Sequence, residues 1–281
     1  MKKIKFILIT GFLFLIMEFG MWKSSQWLHV NKDIETINIF EDLLDKIDNW
    51  NTKKITKKLQ QTLSEEIKKK EGAEDSNEVD ELEELFEAFE KNPEMKEFVE
   101  DYPKREKWIN KEIKLTKEEI ESGAPLFLQW DRRWGYSRYG SKIIAINGCG
   151  PTCLSMVYVG LRGDREMNPQ KVALYSEKCG YVTEGTGTDW GLMTDGAKAL
   201  GLNAEEMALD ENVMLNTLRS GCQIICSMRP GDFTTTGHFI VIYGEKDGRF
   251  LIHDPNSMER SEKEWEFEKI KGQIKNLWKY S

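Results

Sequence analysis

"NGCGPTC", at positions 147–153, is the stretch from which the fold can be predicted, because it sets a cysteine between two glycines at the start of a helix. Pro151 is favoured in the first turn of a helix, so we expect a helix from about Gly150 to Leu161. Unpaired N–H groups and the dipole at a helix start stabilise an anion, which lowers a cysteine pKa from about 8.5 to about 3.5–7.5. The pattern therefore indicates a reactive thiol at Cys149, with flanking glycines that let a substrate backbone approach. A tight turn is the alternative explanation of the glycines.

The chain holds five cysteines, an odd number, so at least one stays free or pairs between chains. Cys153 lies one turn into the expected helix, beside apolar residues, and is predicted to belong to the core. Cys149 and Cys153 could form half of a metal site with Cys222 and Cys226, but their spacing fits no zinc pattern. We therefore predict neither a metal nor a cofactor.

A histidine and an aspartate are predicted to meet across a hairpin. His238 begins the apolar stretch HFIVIYG, Asp254 ends RFLIHD, and Asp247-Gly248 between them is a turn signal. A turn centred on position 246 places His238 and Asp254 opposite each other on one sheet face. A two-residue turn would instead place position 257 opposite His238, and a four-residue loop position 255. His253 is the rival base, although it would point to the other strand face.

These residues suggest the roles of a nucleophilic site. Cys149 is the predicted nucleophile, His238 the base and acid, and Asp254 the group that orients the imidazole and stabilises its charged form. An anion formed on a substrate carbonyl also needs hydrogen-bond donors, which the backbone N–H of Cys149 and a side-chain amide could supply. Gln129, in PLFLQWDRRWGY, is the candidate for that amide, and an ordinary loop glutamine is the alternative.

The amino terminus has the layout of an export signal. Lys2, Lys3 and Lys5 precede a largely apolar run at positions 6–17, and counting on to Trp22 gives about 17 apolar residues, the short end of what spans a bilayer. No small-residue cleavage site is evident. We predict that residues 1–22 form a signal peptide or signal anchor. The protein would then be extracytoplasmic, either secreted or attached to the membrane through this segment. A buried helix is the alternative.

Residues 30–120 are predicted to form a helical, acidic region. Apolar residues recur at three- and four-residue steps in three stripes, and Asn92-Pro93 ends the third. Between Glu71 and Glu100 there are 13 Asp and Glu against two Lys, which is typical of a solvated helix face. The region could be a stalk, a packed helical subdomain or a pro-segment that covers the site. The net charge of −8 argues against a nucleic-acid partner.

Residues 123–281 read as a compact domain. Further helices are expected after Asn168-Pro169, from Asp189 and after Asp210. The stretches CQIICSM, HFIVIYG and RFLIHD follow, and each is typical of a strand that is apolar on both faces and covered by helices. Helices followed by an antiparallel sheet predict an α+β fold.

Four motifs, LQWDRRWG, GCGPTCLSMV, GHFIVI and HDPNS, resemble in order and spacing the C-39-like branch of the papain-type cysteine peptidases, which is related to the bacteriocin-leader peptidases. The resemblance covers about Pro125 to Ser281. It implies a papain-like fold with a Cys, His, Asp triad at Cys149, His238 and Asp254. FEKNPEMKEFVEDYP also resembles the segment before this domain in exported proteins of Gram-positive bacteria, which implies such a source.

Two features differ from the leader peptidases. Those enzymes have a glutamine six residues before the nucleophile, where this chain has Ile143, and they are fused to a transporter with an ATPase, of which the sequence shows nothing. We therefore predict an exported cysteine peptidase that hydrolyses amide bonds of a peptide or protein substrate through a thioacyl intermediate. A non-catalytic peptide- or cell-wall-binding module and a cell-wall amidase are the alternatives.

Overall fold

The computed structural model describes residues 76–183 and 187–281, together with Lys54, Lys57, Lys58 and Gln61. Both long ranges belong to one compact unit. The predicted signal segment, residues 1–22, and the first two apolar stripes lie outside the described residues. Within the described ranges, no helix has the length and apolar character needed to cross a membrane.

The helices before the domain follow short local signals. Asn92 accepts a hydrogen bond from the Glu94 N–H at 3.1 Å, so the first helix ends there and a 3-10 turn begins with Pro93. Thr116 and Glu119 exchange side-chain and backbone hydrogen bonds in a capping box. The helices are α1 (Ser76–Lys91), α2 (Lys96–Asp101), α3 (Glu106–Ile109) and α4 (Lys117–Glu121), with 3-10 turns at Pro93–Met95 and Tyr102–Lys104.

The helices of the domain confirm most of the sequence signals. The helix predicted from NGCGPTC begins at Cys149 itself, and it ends at Gly163, whose φ of 62° is left-handed. Asn168 caps the next helix by accepting from the Lys171 N–H at 3.1 Å. The single helix predicted from Asp189 is wrong, because a 3-10 turn and a short helix form there instead. The helices are α5 (Ile144–Asn147), α6 (Cys149–Arg162), α7 (Pro169–Lys178), α8 (Asp195–Ala199), α9 (Glu211–Arg219), α10 (Met258–Ser261) and α11 (Phe267–Ile270), with 3-10 turns at Trp190–Met193 and Lys271–Gln273.

A six-stranded antiparallel sheet forms the other layer. Its strands are β5 (Ala204–Glu206), β6 (Gln223–Met228), β7 (His238–Lys246), β8 (Arg249–His253), β9 (Glu264–Trp265) and β10 (Ile274–Tyr280), in the order β5-β10-β6-β7-β8-β9. Two small pairs lie apart from it, β1 (Arg138–Tyr139) with β2 (Lys142–Ile143), and β3 (Val182–Thr183) with β4 (Gly187–Thr188). The predicted strands β6, β7 and β8 are confirmed, whereas β5, β9 and β10 were not predicted. Helices packed on an antiparallel sheet confirm the predicted α+β class.

Alternate residues of the central strands belong to two different cores. Ile225 and Val241 pack with α6 on one face of the sheet, and Ile224 and Ile242 pack with α9 on the other. Every residue of β6 is buried, as expected of a strand covered by helices on both faces. Cys153 is fully buried in the α6 core, as predicted, and all five cysteines are free thiols.

The hairpin between β7 and β8 has a different register from the one predicted. Lys246 pairs with Arg249 across the two-residue turn Asp247-Gly248, in which both residues have positive φ, 53° and 79°. An irregularity midway along the hairpin then shifts the pairing by one residue. Asp254 therefore lies beyond the end of β8 and diagonal to His238. The predicted direct opposition is wrong because it assumed a longer turn and a regular ladder.

The helical region shares a core with the domain. Phe89 of α1 packs in one cluster with Ile143 and Ala145, which closely precede the cysteine motif. The Tyr136 hydroxyl donates to the Phe98 carbonyl oxygen at 2.7 Å, and the two rings stack with centroids 4.1 Å apart. The described part of this region, from residue 76 onward, therefore packs on the domain.

Truncation of Phe89 tests this shared core. Phe89 is 1% exposed, so Phe89→Ala should leave a cavity and lower the free energy of unfolding by about 3–5 kcal/mol. Leu174→Ala is the matched control, because Leu174 is 43% exposed and its loss should change that free energy by about 0.5 kcal/mol or less. Urea denaturation of both variants measures the difference. Equal stability of the two variants would show that α1 does not pack on the domain.

Candidate active site

Cys149 is the first residue of α6 and is half-buried. The first N–H groups of a helix have no partner within it, so donors and the positive end of the helix dipole surround the sulfur. Gly150 has a packing role that the sequence did not indicate, because a Cβ added there would lie 2.5 Å from the Thr188 Oγ1 atom. The chain itself, rather than a substrate backbone, occupies the space beside Gly150.

His238 is the first residue of β7 and is 8% exposed. Its Nε2 atom lies 2.7 Å from the Oδ1 atom of Asp254. The ring also interacts with the side chain of Cys149, for which the second ring nitrogen, Nδ1, is the available atom. The structure thus brings together Cys149, His238 and Asp254 in the order in which the sequence predicted them to act.

Asp254 is fully buried and is held by its own turn. Its Oδ1 atom accepts a second hydrogen bond, from the Asn256 N–H at 2.8 Å, and its Oδ2 atom accepts one from the Arg260 Nε atom at 2.5 Å. The Asp254 N–H donates to the Ser261 Oγ atom at 2.9 Å. Every carboxylate oxygen is therefore hydrogen-bonded, which a buried ionised carboxylate requires.

The electrostatic balance of the site favours a charged imidazole. Burial disfavours the imidazolium and lowers the pKa of His238, but Asp254 and, to a smaller extent, Cys149 outweigh burial and raise that pKa to about 10. Burial also acts to raise the pKa of Asp254, yet the positive charges of His238 and Arg260 outweigh it and hold that pKa below its ordinary value. At neutral pH the site therefore contains an imidazolium beside an ionised carboxylate.

Gln129 lies in the same site. It is 5% exposed, and its Nε2 atom donates to the Ala145 carbonyl oxygen at 2.7 Å. A primary amide has two hydrogens, so one remains for another acceptor. The Gln129 Oε1 atom is buried and has no hydrogen-bond partner. Ile143, at the position where the leader peptidases have glutamine, is buried in a hydrophobic core.

A cleft of about 760 Å³ joins these residues. Cys149, Gln129 and His238 line it, together with the loop at positions 231–237 that leads into β7. The helical region also contributes to the lining, through Glu84, Glu87, Ala88, Lys91 and Asn92. The cleft is large enough for a segment of peptide chain, because ligand sites are commonly about 300–1,000 Å³.

His253, the rival base, lies elsewhere. It is not among the described residues that line the cleft. Its ring stacks on Tyr243 with centroids 4.0 Å apart, and its Nδ1 atom lies 3.2 Å from the Pro125 carbonyl oxygen. Burial lowers the pKa of His253 to about 4, although the hydrogen bond to Pro125 acts in the opposite direction. This histidine is therefore neutral at physiological pH.

Sequence reasoning missed three residues that support the site. Arg260 binds Asp254 directly, and Asn92 and Glu94 bind the turn that follows Asp254. Ser257 gave a usable signal, because it caps α10 by accepting from the Arg260 N–H at 3.1 Å. A serine at the N-cap followed by an acidic residue in the first turn, Glu259, could have predicted a short helix there. Asn92 and Glu94 gave only the signal of a helix end.

Residues 121–281 match the family described as the Peptidase_C39 like family. The chain belongs to the Peptidase_C39-like family. A solved structure to which the chain is similar is the peptidase domain of Streptococcus ComA, a bi-functional ABC transporter involved in a quorum sensing pathway, with 20% identity over 47% of this chain and 89% of that chain and a TM-score of 0.38. None of the curated proteins matches the chain. Membership of the Peptidase_C39-like family supports a peptidase-like function.

The pKa values of His238 and His253 should be shifted in opposite directions from the ordinary value of a histidine. NMR spectra of histidine-labelled protein should show His238 charged up to about pH 10 and His253 neutral down to about pH 4. Asp254→Asn should lower the pKa of His238 by about one unit or more, because it removes the negative charge of the carboxylate that is hydrogen-bonded to the Nε2 atom. The pKa of His253 serves as the internal control and should not change. An unaltered His238 titration in Asp254→Asn would contradict the electrostatic account of the site.

Proposed function

We propose that the protein is a cysteine peptidase that cleaves amide bonds of a peptide or protein substrate through a thioacyl intermediate. The observation that carries the proposal is the His238 ring, whose Nε2 atom is hydrogen-bonded to the Asp254 Oδ1 atom and which also interacts with the Cys149 side chain. A charged imidazole beside the sulfur stabilises a thiolate, which is the nucleophilic form of cysteine. The family supports the same reaction class.

The residues have complementary roles in the acylation step. The Cys149 thiolate attacks the carbonyl carbon of the scissile amide, and the electron pair of the C=O bond moves to the oxygen. His238, as the imidazolium, donates its proton to the leaving amine as the C–N bond breaks. The products are a free amine and a thioester on Cys149. Asp254 holds the ring in orientation and stabilises its charged form.

Deacylation reverses the proton transfer. The now neutral His238 takes a proton from water as the water oxygen attacks the thioester carbonyl. The C–S bond breaks, the carboxylic acid leaves, and the thiolate and imidazolium are restored. The Cys149 N–H and the remaining Gln129 amide hydrogen are the proposed donors to the oxyanion of both steps.

The proposal also includes the location of the enzyme and the class of its substrate. The layout of residues 1–22 supports export, as a secreted or membrane-anchored enzyme. The resemblance of FEKNPEMKEFVEDYP to a segment of exported proteins supports a Gram-positive source. A substrate would then be an extracytoplasmic peptide or protein. The same chemistry would also serve a cell-wall amidase, so digestion of peptidoglycan separates that substrate class from peptides.

Alkylation at low pH tests the nucleophile. At pH 5.5 ordinary thiols are protonated and react slowly, whereas a thiolate that is paired with an imidazolium reacts with iodoacetamide. We expect mass spectrometry of the full chain to find the label on Cys149 and to find it lost in Cys149→Ala. Cys179→Ala is the control, because Cys179 is an exposed free thiol outside the cleft. Undiminished labelling of the Cys149→Ala variant would contradict the assignment and would favour a non-catalytic binding module.

Substitution of Gln129 separates the oxyanion role from thiol activation. Gln129→Ala should lower the rate of peptide hydrolysis about 10²–10³-fold, because one oxyanion donor is lost. Its alkylation by iodoacetamide at pH 5.5 should match that of the unmodified chain, since alkylation forms no oxyanion. The measurement uses a peptide selected from a library that the full chain cleaves and Cys149→Ala does not. Equal hydrolysis by Gln129→Ala would exclude Gln129 as an oxyanion donor.

A further inference from the structure

Glu94 lies outside the residues that match the family, yet it contacts the turn that carries Asp254. One oxygen of its carboxylate, Oε1, accepts a hydrogen bond from the Ser257 hydroxyl at 2.5 Å. The other, Oε2, accepts one from the Met258 N–H at 2.8 Å and a longer one from the Glu259 N–H at 3.4 Å. A single side chain of the helical region thus binds three consecutive residues of the domain.

These contacts lie at the amino terminus of α10. The first N–H groups of a helix have no partner within the helix, and a carboxylate satisfies them with charge-assisted hydrogen bonds. A helix of one turn, such as α10, gains little stability from its own hydrogen bonds. Glu94 therefore contributes much of what fixes the position of α10.

The position of α10 decides the position of Asp254. Arg260, in α10, donates from its Nε atom to the Asp254 Oδ2 atom at 2.5 Å. Ser261, the last residue of α10, accepts from the Asp254 N–H at 2.9 Å. A displacement of α10 would therefore move both the backbone and the carboxylate of Asp254.

Asn92 gives the same turn a second attachment. Its side chain is 6% exposed, and its Nδ2 atom donates to the Asn256 carbonyl oxygen at 2.5 Å. The Asn256 N–H in turn donates to the Asp254 Oδ1 atom at 2.8 Å, which is the oxygen that His238 uses. Two residues of the short segment 92–94 therefore bind both sides of the turn that holds the aspartate.

We infer that Glu94 is a positioning residue of the active site, which acts through α10 and Asp254 on His238. The catalytic unit then includes the segment at positions 92–94, before the region that matches the family. The importance of Glu94 for catalysis rests on the proposed function, whereas its effect on the pKa of the His238 imidazole can be measured without a substrate.

The test is the titration of His238 in Glu94→Ala. The titratable groups that face this ring are Cys149 and Asp254, and Arg260 lies behind Asp254. Asp254 raises the pKa of His238. Loss of the Glu94 carboxylate should let the turn after Asp254 move and weaken the contact of Asp254 with the ring, so we expect the pKa of His238 to fall by about one unit in the full chain. Histidine-labelled NMR spectra measure the shift. Glu94→Asp, which keeps the carboxylate, should restore at least half of it.

Glu97→Gln is the matched control. Glu97 lies three residues further along the chain, in α2, but its carboxylate is 80% exposed and contacts Arg132, at 3.1 Å from the Nη2 atom. The pKa of His238 should be unchanged in this variant. Thermal unfolding of all variants separates a general loss of stability from the specific effect on the imidazole.

A double-mutant cycle shows whether Glu94 acts through Asp254. In an Asp254→Asn background, Glu94→Ala should give no further change in the pKa of His238, because the group it positions has lost its charge. A shift that is the same in both backgrounds, or an unchanged His238 pKa in Glu94→Ala, would overturn the inference.

These outcomes are independent of the nucleophile assignment. If Glu94→Ala shifts the His238 titration while Cys149 takes no label at pH 5.5, the positioning role stands and the proposed peptidase function fails. If Cys149 is labelled and Glu94→Ala leaves the titration of His238 unaltered, the positioning role fails and the nucleophile assignment stands.

Discussion

The buried carboxylate of Asp254 is the interaction on which the site depends. An isolated buried carboxylate costs several kcal/mol in lost hydration, and only opposite charges and hydrogen bonds offset that cost. Asp254 obtains both, because it is shared between the His238 imidazole on one oxygen and the Arg260 guanidinium on the other. The two positive groups together hold the pKa of Asp254 below its ordinary value, and the ionised carboxylate in turn stabilises the charged imidazole.

The geometry around this carboxylate explains why the helical region belongs with the domain. Asp254 follows the last residue of β8, so no regular ladder fixes its side chain. The turn after it is instead held by side chains from the helical region and by the Trp130 Nε1 atom, which donates to the Asn256 carbonyl oxygen at 3.2 Å. The same helical region packs an apolar face against the residues just before Cys149. It thus supports the thiol and the aspartate from one side.

Local signals were enough to predict some of this arrangement and not the rest. The helix at Cys149 was predictable because Gly and Pro act within one turn, and the pairing of His238 with Asp254 followed from turn residues between two apolar stretches. The register was wrong because the irregularity in β7 has no local signature in the sequence. β10 escaped prediction because its lysines and asparagine break the alternation typical of a strand. Glu94 could not be found because its partners lie far along the chain, and only the tertiary fold brings them together.

The distance along the chain between the two halves of this site has a consequence for biosynthesis. Glu94 and Ser257 are separated by 163 positions, and ribosomes add about 5–20 residues per second. The segment at positions 92–94 is therefore exposed for on the order of ten seconds before its binding partner exists. Contacts of such long range form late in folding, because loop closure must precede them. A nascent chain consequently contains Cys149 well before the turn that holds Asp254 has been made, so the site can be completed only once translation has passed α10.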